Sequence, residues 1–296
     1  MELLRKGKVK EVYDFDNEKL LFIFTNQISV FDKIIPSLIP KKGESLARTS
    51  AFWFNKASKL GIKNHFISLE NGINMYVRKF KIPTGRISKG DKGYLIPLEF
   101  VCRYYVAGTL YDRLKNGKTS FRDLGFKSMP RYGDKLPEPL FEITTKFEKT
   151  DRLITQEEAM EIGGLEKVEI EDIFQIISRM DEEIQSEVTK RGLIHVDGKK
   201  EFALDDERSP YLVDTFGTAD EDRWWDAESF ERGNIRELSK EFVRQYYRSI
   251  GYYDKLMEAR VKGFKEPDIP PLPPDMVLKV SDLYVEMYER ITGQKW

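Results

Sequence analysis

Leu193-Ile-His-Val-Asp-Gly-Lys-Lys-Glu-Phe-Ala-Leu-Asp205 and, after a short polar interval, Tyr211-Leu-Val-Asp-Thr-Phe-Gly-Thr-Ala-Asp-Glu-Asp-Arg-Trp-Trp-Asp226 are the stretches on which the reading of this chain turns. Asp197-Gly198 between alternating apolar runs is the dipeptide of a two-residue hairpin. Beyond it, a period of two sets Lys199, Glu201 and Ala203 on one strand face, with Phe202 and Leu204 on the other. Asp206 to Pro210 reads as a second turn, and Tyr211 to Phe216 as the returning strand. With Asp205 against Pro210, Glu201 lies directly opposite Asp214. Facing carboxylates repel, and a cation between them relieves the repulsion. One or two carboxylates together with substrate phosphates is the usual protein share of a Mg²⁺ site. Lys199, on the same face, offers a charge for phosphate. Without the cation, removing one of the two carboxylates should leave the ligand-free fold no less stable. The plain alternative is a solvated hairpin with scattered charges.

Working outward, Gly7 to Phe15 and Lys19 to Thr25 alternate around a turn at Asp16-Asn17 and form an antiparallel hairpin. Glu44 to Leu60 carries Leu46, Phe52, Trp53, Ala57 and Leu60 at helical spacing and stops at Gly61. His65 to Leu69 and Met75 to Phe80 are further strands, with His65 at a surface or strand edge. Tyr94 to Val106 is a long β-prone run, and a helix begins in Ala107-Gly-Thr-Leu-Tyr111. Glu157 to Ile162, Ile170 to Arg191, Ser239 to Ile250 and Ser281 to Ile291 have helical periodicity. The helix from Ile170 is amphipathic through Ile173, Ile176, Ile177, Met180 and Ile184. Pro267 to Pro274 is a stiff strap. Strands first and helices later predict an α+β fold.

Composition narrows the function. The 296 residues suffice for two domains and a sizeable core. Lys+Arg 49 against Asp+Glu 50 gives no global field, so nucleic acid is not an expected partner. The single cysteine and two histidines exclude a disulfide framework and make a Cys- or His-based zinc centre an unattractive reading. The N-terminus lacks the apolar core of a signal peptide and no run approaches a membrane span, so a cytoplasmic protein is expected. A homo-oligomer is compatible with the sequence: Tyr284, Met287 and Tyr288 suit packing in a dimer or within one chain.

Several segments carry candidate chemistry. Gly7-Lys-Val-Lys10 is neither a Walker loop nor a full dinucleotide fingerprint; it is an ordinary turn or a place where backbone approaches phosphate. Arg103-Tyr-Tyr-Val-Ala-Gly-Thr109 delivers a guanidinium from a strand and a hydroxyl at a helix N-terminus, which together suit a phosphate dianion. An ion pair at a strand-to-helix turn explains the same residues. Arg223 is a phosphate or carboxylate clamp, or a partner of its acidic neighbours. Trp224 and Trp225 read as packing.

Taken in order and spacing, these pieces resemble the SAICAR synthetase family over nearly the whole chain. The carriers are Gly7-Lys-Val-Lys-Glu-Val-Tyr13, Gln27-Ile-Ser-Val-Phe-Asp32, Ile39-Pro-Lys-Lys-Gly43, Arg103 to Leu110, Pro139-Leu-Phe-Glu-Ile-Thr-Thr-Lys146, Asp197 to Phe202 and Val213 to Asp226. The resemblance implies a protein-kinase-like, β-rich nucleotide-binding lobe over residues 1–90. It also implies a larger ATP-grasp-like α+β lobe over 91–296, with ATP in the cleft between. It implies that ATP, carboxyaminoimidazole ribotide and L-aspartate give ADP, phosphate and SAICAR, with Mg²⁺ as cofactor. Carried over by position, Lys8 and Lys10 meet the ATP phosphates. Lys199 faces phosphates and ribotide, and with Lys10 is the expected catalytic pair. Glu201 and Asp214 serve nucleotide and metal; Arg103, Thr109 and Arg223 hold the ribotide. Ser29, Asp32, Lys146 and Asp151 lie near the aspartate. Ser29-Val-Phe-Asp32 departs from the family's Ser-Ala-Phe-Asp, Thr109 stands where Ser is usual, and Gly217-Thr-Ala-Asp220 departs from Ser-Pro-Asp, leaving the role of Asp220 open. A carboxylate must be activated before an amine can displace its oxygen, and phosphorylation to an acyl phosphate does this. Such catalysis rests on positioning and charge stabilisation, with no Ser or Cys nucleophile. A related kinase or carboxylate–amine ligase, or a silent nucleotide-binding module, are the rival readings.

Overall fold

The computed structural model describes residues 1–148, 151–238 and 240–296. The first strands are β1 (Glu2–Lys6), β2 (Lys10–Asp14) and β3 (Lys19–Phe24). Asp16 shapes the turn between β2 and β3: its Oδ1 accepts from the backbone N–H of both Glu18 and Lys19 at 2.8 Å. A small hairpin, β4 (Gln27–Val30) and β5 (Lys33–Leu38), precedes α1 (Lys42–Lys59), and then come β6 (Phe66–Glu70) and β7 (Asn74–Arg78). The five-stranded antiparallel sheet has the order β1-β2-β3-β7-β6. Helix α1 buries Leu46, Trp53, Phe54 and Ala57, and the chain leaves it through Gly61 at φ 72°, the left-handed geometry that glycine adopts without strain.

The second sheet is built from β8 (Tyr94–Leu95), β9 (Leu98–Tyr105), β10 (Lys135–Thr145), β11 (Leu153–Ile154), β12 (Leu193–Leu204), β13 (Pro210–Val213) and β14 (Asp222–Asp226). The intervening helices are α2 (Gly108–Lys115), α3 (Gln156–Gly163) and α4 (Lys167–Thr189), and the later ones are α5 (Ala227–Glu231), α6 (Glu241–Ser249), α7 (Tyr252–Lys262) and α8 (Pro274–Thr292). Strand β12 is central: β14 pairs with its first half, β9 with its middle, and β13 and β8 with its second half. Ile173, Ile177, Met180 and Ile184 of α4 are fully buried, as their spacing predicts. One continuous apolar core runs from Phe22 and Met75 through Trp53 and Phe54 to Phe100, Phe202, Ile177 and Met287. Tyr284, Met287 and Tyr288 are at most 3% exposed within the single chain, where α8 packs on α1. The proline strap is fastened to β5 by Leu272 N–H on Ser37 Oγ at 2.9 Å and to α6 by Tyr247 Oη on the Pro270 carbonyl at 2.6 Å.

The fold is α+β as expected, with several local corrections. Asp197-Gly198 is not a turn; β12 runs straight through it. Gly198 stays glycine for room, since a Cβ there would lie 2.2 Å from Asp222 Oδ2 and 2.9 Å from His195 Nε2. The hairpin register is one residue from the expected one: Leu204 opposes Pro210 and Glu201 opposes Val213. Asp205 belongs to the turn, where its Oδ1 accepts from the N–H groups of Glu207 at 3.1 Å and Ser209 at 2.7 Å. His65 is 4% exposed rather than superficial. Pro97 splits the Tyr94–Val106 run into β8 and β9. The helix expected from Ser239 begins at Glu241, and Ser239 itself lies outside the described residues.

Candidate active site

Two charged clusters lie along one face of β12. At its centre Asp197 is directly opposite Arg103 on β9 and Arg223 on β14. Opposed residues share a face, so the carboxylate sits between two guanidinium groups: Arg103 Nη1 at 2.8 Å and Arg223 Nε at 3.5 Å from Asp197 Oδ2. Arg103 also donates from Nε to Glu142 Oε2 at 2.7 Å and from Nη2 to Thr109 Oγ1 at 3.3 Å. Arg223 lies against the N-terminus of α2: a Cβ on Gly108 would meet Arg223 Nη2 at 2.4 Å. Glycine at 108 is therefore a steric requirement of the guanidinium. Arg103, Thr109 and Arg223 thus converge, as predicted. Asp197 and Glu142 orient them; the turn signature of Asp197-Gly198 hides the first from a reading of the sequence, and nothing local marks the second.

The second cluster is two residues further along β12. Lys199 Nζ is 2.7 Å from Glu201 Oε1, 2.9 Å from Glu99 Oε1 and 3.4 Å from Glu221 Oε2. Lys146, from the end of β10, forms an ion pair with Glu201, and Lys10, from the start of β2, with Asp214. Lys10 Nζ also rests over the Phe22 ring at 4.8 Å from its centroid. Asp214 is brought in despite the register. As the neighbour of Val213 it would point away from Glu201 in a regular strand, but its φ of 62° swings it back. Burial opposes ionisation of Asp214, yet Lys10, Lys146 and Lys199 outweigh it and hold the carboxyl well below its ordinary range. Lys199 is likewise held above its ordinary value: burial pulls it down, but Glu221, Glu99 and Asp214 prevail. Burial lowers the Lys146 ammonium to about 8, only partly offset by Asp214. The expectation of two bare, repelling carboxylates is therefore corrected: each is paired to lysine in this structure.

Beside this cluster, Lys8 Nζ meets Asp32 Oδ1 at 2.7 Å. Asp32 stands at the tip of the β4–β5 hairpin, where Phe31 and Asp32 both have positive φ, 52° and 64°. Gly7 N–H bonds to the Lys10 carbonyl at 2.9 Å, so this glycine closes a turn that presents Lys8. Asp151 is exposed; partial burial and then the Glu99 carboxylate raise its carboxyl, with Asp32 adding to the effect. Ser29, opposite Ile34 on β4, joins none of these ion pairs. Asp220 is separate. It lies sealed between Lys42 at 2.8 Å and Lys240 at 3.1 Å and accepts from Tyr284 Oη. Although burial would raise it, Lys240 and Lys42 hold its carboxyl low.

Among the described residues no set of three or more His, Cys, Asp or Glu side chains is grouped to hold a metal alone, and no helix is long and apolar enough to cross a membrane. The donors that do converge, Glu201 and Asp214, are hard carboxylate oxygens. They suit a small divalent cation whose remaining positions are filled by phosphate and water.

Three lysines and a carboxylate pair thus stand beside a two-arginine cradle at a helix N-terminus. The SAICAR synthetase family model matches residues 3–259, and the chain belongs to that family. A phosphoribosylaminoimidazole-succinocarboxamide synthase from Thermoplasma acidophilum is 60% identical over 296 residues, covering 100% of both chains. The enzyme of the same description from Komagataella pastoris is 31% identical over 312 residues, covering 100% of this chain and 96% of its own. Among solved structures, the SAICAR synthase of Saccharomyces cerevisiae complexed with SAICAR superposes with a TM-score of 0.76 at 26% identity, covering 99% of this chain and 95% of that one. A SAICAR synthetase in complex with ADP gives 0.71 at 28% identity, covering 99% and 98%.

Proposed function

We propose that the lysine–carboxylate cluster on β12 binds Mg²⁺-ATP and that the Arg103–Thr109–Arg223 cradle binds the ribotide phosphate. Their alignment on one strand face lets the carboxylate of carboxyaminoimidazole ribotide meet the γ-phosphate. The chain is an ATP-dependent carbon–nitrogen ligase of purine biosynthesis, joining L-aspartate to that carboxylate to give SAICAR, ADP and phosphate. The observation that carries the site assignment is the convergence of Lys10, from β2, and Lys199, from β12, on Asp214 and Glu201, with Lys146 reaching Glu201 from the aspartate side. Several ammonium groups held at one place by carboxylates that can release them to phosphate oxygens are what a polyphosphate requires.

In this reading Lys8 and Lys10 draw the ATP phosphates against β2, and Lys199 bridges nucleotide and ribotide. Glu201 and Asp214 hold Mg²⁺, which when bound neutralises charge developing on the transferring phosphoryl group. The ribotide carboxylate takes the phosphoryl group, and the aspartate amine displaces phosphate from the acyl phosphate. Ser29, Asp32, Lys146 and Asp151 form the aspartate side, at the mouth between residues 1–90 and the larger lobe. The enzyme works in the cytoplasm. The test is ADP release with ribotide, measured with and without L-aspartate and with and without chelator. SAICAR formation that needs all three substrates and Mg²⁺ is expected; ADP release indifferent to aspartate would reassign the enzyme to a kinase.

A further inference from the structure

Asp214 stands where its own strand does not put it, so something must hold it there. Non-glycine residues rarely sit at φ 62°, because the left-handed conformation crowds Cβ against the following carbonyl. Behind this residue the segment Lys63–His65 runs parallel to the end of β13 and clasps it. Leu212 N–H bonds to the Lys63 carbonyl at 2.9 Å, and His65 N–H bonds to the Leu212 carbonyl at 3.1 Å. The His65 ring then reaches past the strand's end, with Nε2 3.2 Å from the Asp214 carbonyl oxygen. A carbonyl only accepts, so Nε2 carries the proton and donates.

The ring is itself immobilised. It lies 5.1 Å from the Phe54 ring and 5.7 Å from the Phe22 ring, centroid to centroid, and its backbone carbonyl accepts from Arg78 N–H at 2.7 Å. Phe22 also lies beneath the Lys10 ammonium that pairs with Asp214. Four residues thus close a circuit: Lys10, Phe22, His65 and Asp214. Three come from the first 80 residues and one from the second sheet.

We infer that His65 is a positioning residue for Asp214, fixing through its carbonyl the left-handed turn that aims the carboxylate at the Mg²⁺-phosphate site. This rests on the assignment of Asp214 to that site. His65 touches no reacting atom, and its role is to keep one catalytic carboxylate from reverting to the far face of β13. It also means that the first sheet's side of the molecule sets the geometry of a group belonging to the second.

The test compares His65→Leu, which loses the donor, with His65→Gln, whose amide nitrogen falls near Nε2 and keeps it. For each, ADP binding is titrated with Mg²⁺ by calorimetry, beside a melting curve without ligand. His65→Leu is expected to raise the Mg²⁺ concentration for half-maximal ADP binding about tenfold, equivalent to about 1.4 kcal/mol, and His65→Gln to return most of it. In an Asp214→Asn background, His65→Leu should add nothing. Should His65→Leu fail to fold, His65→Asn, whose amide is too short to reach the carbonyl, takes its place against His65→Gln. A lowered melting temperature with unchanged Mg²⁺ dependence would make His65 a core histidine and overturn the inference, as would an equal His65 effect without Asp214. If Asp214→Asn itself leaves the Mg²⁺ dependence intact, the site assignment fails and the positioning role falls with it.

Discussion

Two lysine–carboxylate clusters in this molecule are made of the same groups and do opposite work. Around Asp220, Lys42, Lys240 and Tyr284 cover the carboxylate itself: the Lys42 side chain is 0% and the Asp220 side chain 2% exposed, with only Lys240, at 14%, reaching solvent. Around Asp214, the Lys10 and Asp214 side chains keep 13% and 22% of their surface, and Lys199 divides itself among three carboxylates. A sealed, saturated cluster has no vacancy for a ligand and serves to tie α1, α8 and the loop before β14 together. A cluster reachable from solvent, whose lysines have exchangeable partners, can trade carboxylate for phosphate. Reachability and shared partners, rather than charge count, distinguish the cluster proposed to bind substrate from the one that only braces the fold.

The sealed cluster offers the largest effect. Asp220→Asn leaves the buried Lys42 ammonium, with the partly exposed Lys240 beside it, without its counterion and should cost about 3–5 kcal/mol of stability, read as a fall in melting temperature. An unchanged melting temperature would erase the contrast. At the open cluster, Asp214→Asn should lower turnover by roughly two to three orders of magnitude, since it weakens charge stabilisation of the transferring phosphoryl group. Because Asp214 is paired to lysine before any ligand arrives, ligand-free stability should also fall somewhat, where two bare carboxylates would have left it unchanged or slightly higher. The rise in melting temperature on adding Mg²⁺-ATP should shrink. Normal turnover in this variant would remove Asp214 from the site. Lys10→Ala, losing one charge-assisted contact of about 1.5–3 kcal/mol, should raise the KM for ATP and lower kcat; ATP kinetics unaltered in a folded variant would leave Lys10 as packing over Phe22. Arg103→Lys should raise the KM for the ribotide about tenfold with less effect on ATP. Equal losses for both substrates would point to its pairs with Glu142 and Asp197 as purely architectural.

The smallest effect is on pH. Asp220 is held below its unfolded value of 3.8, so its contribution is fully present above that value and is lost as pH falls towards the folded one. Asp220→Asn should therefore flatten the acid limb of stability below about pH 4. An acid limb identical to that of the native chain would show that Lys42 and Lys240 do not depend on this charge.

Much of this was legible beforehand. The period of two after Gly198 correctly put Lys199 and Glu201 on one face, and the apolar spacing of α4 found its buried side. What misled was local chemistry overridden from a distance. Asp197-Gly198 carries a turn signature, but Asp197 is needed between two arginines and Gly198 beside a buried pair. Asp205 has a strand's position in the alternation, yet its carboxylate closes the turn and shifts the register by one. His65 gives no sign in sequence of the carbonyl it serves, because that partner lies 149 positions away. Helix α7 and strand β10 have no clean period, so the sequence alone does not mark them.

Strand β12 carries charge on both faces, and this bears on how faithfully the chain assembles. Lys200, 0% exposed, pairs with Asp181 behind the sheet, while Glu201 faces the site. A slip of one residue would exchange the two faces, driving Glu201 into aromatic surroundings and pulling Lys200 away from Asp181 and the Phe216 ring. The irregularity between His195 and Asp197 sets the same alternation from the other end, turning His195 inward to Asp222 at 2.6 Å. A misthreaded molecule would thus be unstable rather than merely inactive. Quality control of the face proposed to bind substrate is written into the back of the strand that bears it.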